Sequence, residues 1–96
     1  MLLRQGDIVL KKIEKIPGGA KRISDILKIK GETAGHEHIL PASVFQVRNS
    51  QEGNRIFVKV ASLSSMNHPE HPDLSVFPGN YEVIQAREYK NPDPPD

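Results

Sequence analysis

The sequence predicts an all-β protein: a small antiparallel meander of about seven short strands, forming a barrel or a curled sheet. Three observations lead there. Apolar and polar residues alternate with a period of two, turn-forming Gly, Pro and Asn recur at short intervals, and no stretch holds helical spacing. Short strands joined mostly by hairpin turns are most economically accommodated by a meander that curls on itself.

In chain order, Asp7 to Ile13 puts Ile8 and Leu10 on one face. Pro17-Gly18-Gly19 supplies a turn, because Pro fixes φ and Gly accepts positive φ. Ile23 to Lys30 returns, with Leu27 and Ile29 opposite Lys28 and Lys30, and Thr33-Ala34-Gly35 reverses the chain into a strand from His36 to Leu40. The clearest hairpin pairs Ser43 to Arg48 with Arg55 to Ala61 across Asn49-Ser50-Gln51-Glu52-Gly53-Asn54. A loop is expected from Ser62 to Asp73, then a short strand Leu74 to Phe77. Pro78-Gly79-Asn80 turns into a last strand, Tyr81 to Tyr89, that sets Gln85, Arg87 and Tyr89 on one face. Residues 1–89 thus form a single β domain, and residues 90–96, without an apolar side chain, an extended or disordered tail.

Ninety-six residues leave room for one thin core. The absence of cysteine excludes disulfides, cysteine-type zinc sites and thiol nucleophiles, so any metal must be held by His, Asp or Glu. No apolar run approaches the ~18 to 20 residues of a membrane span, and Met1-Leu2-Leu3-Arg4 lacks the apolar region of a secretory signal. A cytoplasmic protein without a membrane partner is expected. The net charge of +1 is unevenly spread. Residues 1–48 carry nine Lys and Arg against five acids, and residues 49–96 four against seven. A solvated face of edge strands explains such a bias, and a phosphate-facing surface is the sharper reading.

All four histidines come in two pairs, His36-Glu37-His38 and His68-Pro69-Glu70-His71. On a strand, side chains two apart share a face about 6.5 to 7 Å apart, so His36 and His38 can converge on one ion or substrate. Pro69 suits the second position of a β-turn, which brings the Cα atoms of His68 and His71 to within roughly 7 Å. The hairpin between Ser43 and Ala61 carries the chain out and back, so both pairs are expected at one end of the fold.

Three chemistries fit such a cluster. Imidazole nitrogens bind divalent transition metals, zinc foremost, and His36, His38, His71 and His68 are the candidate ligands. Hydrolysis of a phosphodiester, with RNA or a nucleotide as substrate, is the expected use. Alternatively, imidazoles of different protonation state do general acid and base work without metal. In the metal reading, which leads, His68 is the fourth ligand or the acid or base, and Glu70 or Glu37 the proton carrier. The third reading leaves the histidines in a surface turn and an edge strand with no ion bound; the alternative outside enzymes is a binding module for a protein or nucleic-acid partner, in which any metal is structural. For an anionic substrate, Arg87 is the candidate anchor because its planar fork grips phosphate bidentately, with Lys30, Lys28 and Tyr89 beside it. Gly31-Glu32-Thr33-Ala34-Gly35 lacks the Lys and the following helix of a phosphate loop. Exposed strand edges also allow assembly into a homo-oligomer.

Four segments together carry a resemblance. These are Arg4-Gln5-Gly6-Asp7, Gly31-Glu32-Thr33-Ala34-Gly35-His36-Glu37-His38, His68-Pro69-Glu70-His71, and Pro78-Gly79-Asn80-Tyr81-Glu82-Val83 with Gln85-Ala86-Arg87-Glu88-Tyr89. In these the chain resembles a group of small bacterial and phage-associated proteins of uncharacterised function. The resemblance implies that the segments act as one functional unit and carries no reaction. The His-x-His pair is also similar to the metal-binding strand of cupins, but the downstream Glu and second glycine-rich motif of that family are not matched.

Overall fold

A computed structural model describes residues 1–31, 36–49 and 53–86. The fold is all-β, with eight antiparallel strands in a nearly closed, barrel-like sheet. In chain order they are β1 (Leu2–Gln5), β2 (Ile8–Ile13), β3 (Lys21–Lys30), β4 (Glu37–Asn49), β5 (Gly53–Val60), β6 (Ser64–His68), β7 (His71–Val76) and β8 (Gly79–Gln85). The sheet order is β1-β2-β8-β5-β4-β6-β7, with β3 paired to β4 off this path. Gln5 closes the seam, since its Nε2 donates to the carbonyls of Met66 and Pro72, each at 2.8 Å, and ties β1 to β6 and β7.

Several boundaries differ from the sequence expectation. An additional strand, β1, pairs with β2 through a tight turn at Gly6-Asp7, where Gly6 has φ +60°. Leu2 is exposed and Leu3 only half-buried, so no clean alternation marked this strand. The expected strands 36–40 and 43–48 are one continuous β4, in which Pro41 sits opposite Ile26 next to a register irregularity. Proline is accommodated there because β3 departs from regular pairing. The segment 62–73, expected as a loop, instead forms most of the β6–β7 hairpin, with His68 opposite His71 across the turn. Its polar composition hid it, since only Met66 and His68 of β6 are buried. The expected hairpin at Asn49 is present, with Asn49 opposite Gly53. The tail 90–96 and the end of the last strand beyond Ala86 lie outside the described residues.

Strand parity places the core. On β4, His38, Leu40, Ala42 and Val44 are buried, while the residues between them are exposed or half-buried. Leu40, Ala42 and Val44 pack with Ile8 and Leu10 of β2 and Val58 and Val60 of β5. Tyr81, fully buried, joins the same cluster and donates its hydroxyl to the Phe77 carbonyl at 2.7 Å. Removing that hydroxyl in Tyr81→Phe leaves the carbonyl short of a donor and costs about 1 kcal/mol. For a domain of this size that lowers Tm by roughly 4 to 8 °C, measurable by thermal denaturation.

Candidate functional site

The same parity that builds the core turns histidine inward. His38 shares the buried face of β4, and His68 shares that of β6 with Met66. The Pro69-Glu70 turn then presents His71 beside His68, and His36 enters just ahead of β4. The four rings meet. His68 lies 4.3 Å from His38, 4.6 Å from His71 and 5.8 Å from His36 between ring centroids, and His38 and His71 stack at 5.9 Å. The two pairs, thirty residues apart in sequence, thus form one cluster.

Two glycines make room for it. A Cβ on Gly31 would stand 3.0 Å from His38 Nε2 and 3.3 Å from His68 Nε2, so both nitrogens border the space that this residue leaves open. A Cβ on Gly6 would fall 2.5 Å from His71 Nε2, at a backbone conformation that side chains rarely adopt.

The hydrogen bonds fix the protons. Both amide hydrogens of Gln5 are spent on backbone carbonyls, so its Oε1 must face His38 Nδ1, 2.9 Å away, and accept from it. On the other side of the ring, Asp7 Oδ1 lies 3.1 Å from His38 Nε2. Asp7 is held in turn by Gln85, whose Nε2 donates to Asp7 Oδ2 at 3.1 Å and to the Lys30 carbonyl at 2.8 Å. His68 is oriented the opposite way, its Nδ1 accepting the Glu70 amide at 3.0 Å, so the neutral ring carries its proton on Nε2. His36 Nδ1 comes within 3.2 Å of Glu70 Oε2 but is poorly aligned and makes no hydrogen bond.

Burial is the main influence on His38 and pushes its pKa below the ordinary 6.5; the neighbouring His68 and His71 add to this, and Asp7 only partly offsets it. For Asp7 burial alone acts upward, but hydrogen bonds from Gln85 and His38, with a backbone bond and the charge of His38, bring its pKa below the ordinary 3.8. Both His38 nitrogens face acceptors, so its two hydrogen bonds are made together only by the doubly protonated ring, a charge that burial disfavours. The neutral His68 ring offers Nε2–H.

The pH dependence of stability follows. Between its folded pKa and 6.5, His38 binds fewer protons in the folded than in the unfolded chain, so stability rises with pH across that window. The contribution is complete above 6.5 and lost as pH falls through the folded pKa. Asp7 contributes fully above 3.8 and loses its share as pH falls through its own folded pKa. Urea denaturation at a series of pH values is expected to show stability falling in two acid steps, of which His38→Gln removes the upper.

On the outward side, His36, Glu37, Ile39, Asn67, His68 and Pro69 line a groove of about 460 Å³. Cross-strand register sets Lys30 opposite Glu37, and Lys28 opposite Ile39, which itself pairs with Asn67. Residues directly opposite share a sheet face, so Lys28 and Lys30 stand on the face that carries the groove. Glu70, exposed in the His68–His71 turn, lies beside His36. Of the other sequence candidates, Arg87 and Tyr89 fall outside the described residues. Gln5, Asp7 and Gln85 were not singled out as site residues from spacing, although Arg4-Gln5-Gly6-Asp7 and Gln85 belong to the segments on which the resemblance rests. That grouping was their one signal. Among the described residues, no three His, Asp or Glu side chains are arranged to hold one metal ion.

Eight antiparallel strands curled around a buried imidazole–carboxylate cluster define a small β-barrel-like histidine-cluster domain. The family model described as a domain of unknown function, DUF8820, matches residues 4–86, and the chain belongs to that family. The match contains all four histidines with Gln5, Asp7 and Gln85. No curated protein and no solved structure shows significant similarity to the chain.

Proposed function

We propose that the cluster is a metal-free acid–base site that cleaves a phosphodiester, with RNA or a nucleotide as substrate. The observation that carries this reading is the fixed orientation of His68: its Nδ1 accepts the Glu70 amide, so the neutral ring presents Nε2–H, and His36 lines the same groove beside it. Phosphodiester transfer needs one group to take the proton from the attacking hydroxyl and another to give a proton to the leaving oxygen, as one P–O bond forms and the other breaks. His68 lines the groove and His36, more exposed, faces it edge-on across 5.8 Å. We assign these two to contact with the substrate. Glu70 beside His36 serves as proton carrier, with Glu37 on the groove wall, and His38 with Asp7 positions His68 from within. Lys28 and Lys30 supply cations for the phosphate on the groove face.

A second reading, a divalent ion such as zinc, is favoured by the closeness of Asp7 Oδ1 to His38 Nε2 and of both His38 and His68 Nε2 to the space at Gly31. The Glu70 amide on His68 Nδ1 weighs against it, because a metal on Nε2 would require that ring to give up its only proton.

The test is turnover of single-stranded RNA and of 2′,3′-cyclic nucleotides by untagged protein in excess chelator. A bell-shaped pH profile is expected, with activity lost in His68→Ala and reduced at least 100-fold in His36→Ala. Turnover that vanishes with chelator and returns with zinc would move the assignment to the metal reading. No turnover with or without metal, in a protein that holds its fold, would leave a binding module.

A further inference from the structure

Strand β3 borders the histidine site on one edge, through its pairing with β4. It pairs only with β4 among the described residues, off the path that runs through the other seven strands, so its second edge is unpaired there. Two grooves flank it. One, of about 540 Å³, is lined by Ile23, Ile26, Leu27, Ile29, Val44 and Ile56 among others, and the other, of about 530 Å³, by Lys21, Gln46 and Arg48, with Ile23 common to both. Ile23 and Ile26 are 53% and 38% exposed, an unusual exposure for two isoleucines on one strand.

Charge selects the occupant. Strand β3 carries Lys21, Arg22, Lys28 and Lys30 against the single acid Asp25, which already pairs with Arg22. A second copy docking antiparallel on this edge would set Lys21 and Arg22 of one chain against Lys28 and Lys30 of the other, and like charges opposite one another destabilise a strand pair. Lysine on an edge is a means of discouraging self-pairing. The same charges favour an acidic strand. From Ile26 to Lys30 the register with β4 is uninterrupted, so five consecutive residues form a regular edge for a visiting backbone.

We infer that the free edge of β3 is a docking surface for an extended acidic segment of a partner protein, one in which Asp or Glu alternates with Val, Ile or Leu. The backbone of that segment adds a strand to β3, its apolar side chains enter the larger groove on the face of Leu27 and Ile29, and its carboxylates meet Lys28 and Lys30 on the other face. The surface shares Lys28 and Lys30 with the anion-binding side of the site proposed above and uses none of its imidazoles; peptide binding and RNA turnover therefore test the two readings separately.

The experiment titrates the full chain with a blocked hexapeptide of alternating Glu and Val, followed by amide NMR shifts and hydrogen exchange, with a Lys-Val peptide as control. Expected are shifts confined to residues 21–30 and their neighbours, new protection of β3 amides, and affinity weakened at least tenfold in Lys21→Glu/Lys28→Glu or in 0.5 M salt (about 1.4 kcal/mol). The double variant must keep the native spectrum elsewhere, and Ile26→Glu, which sets a charge like the peptide's own on the face of Lys28 and Lys30, serves as an independent second variant, also expected to weaken binding. The proposal is overturned by no response at millimolar peptide or by equal response to the Lys-Val control. Concentration-dependent self-association through β3, or edge amides already protected in the free chain, would overturn it as well.

Discussion

Replacing His38 with alanine is expected to be the most damaging single substitution in the domain. The ring is fully buried and meets an acceptor at each nitrogen, Gln5 Oε1 at 2.9 Å and Asp7 Oδ1 at 3.1 Å. Alanine leaves the Gln5 oxygen and the Asp7 carboxylate buried with one partner fewer, each at about 1 to 3 kcal/mol, in addition to a cavity. A loss of roughly 3 to 5 kcal/mol lowers Tm by about 12 °C or more, or unfolds so small a domain outright. Asp7→Asn separates stability from proton chemistry. The asparagine amide can donate to a bare His38 Nε2 while its oxygen still accepts from Gln85, so Tm is expected to change little as activity falls. A drop of more than about 2 kcal/mol in that variant would mean that His38 is an imidazolium at neutral pH.

Gly31→Ala is expected to spare the fold and abolish the chemistry. The added Cβ meets His38 Nε2 at 3.0 Å and His68 Nε2 at 3.3 Å. Neither ring has room to retreat, since both are buried and His38 is bonded on two sides. Overpacking of this kind costs about 1 to 3 kcal/mol. The larger effect falls on turnover, because a displacement of the reacting groups by about 1 Å can reduce a rate roughly 100-fold. Gly18→Ala is the control, since nothing lies within 4 Å of its Cβ, and both stability and turnover are expected to stay at the native level.

The architecture was largely legible from alternation, because Ile8 and Leu10, or Val58 and Val60, must face a core if they lie on strands. The hidden elements were those whose inward residues are polar. On β6 the inward positions are Met66 and His68, and on β1 Gln5 faces inward, so neither segment looks like a strand when apolar residues are counted. The site shows the same division. The spacing of His36 with His38 and of His68 with His71 identified the imidazoles, since each pair is local and its geometry follows from strand or turn. Gln5, Asp7 and Gln85 meet His38 only through contacts 31 to 78 residues apart along the chain, which no local period encodes. The tautomers were beyond sequence altogether. They depend on where Gln5 places its amide hydrogens and on the Glu70 amide reaching back to His68.

The central claim is that the Glu70 amide holds the neutral His68 ring with its proton on Nε2, turned to the groove. Long-range proton–nitrogen NMR of the uniformly ¹⁵N-labelled chain, at neutral pH and in chelator, reads this directly. Expected is a His68 protonated at Nε2 with a bare Nδ1. A His68 protonated at Nδ1 would contradict it.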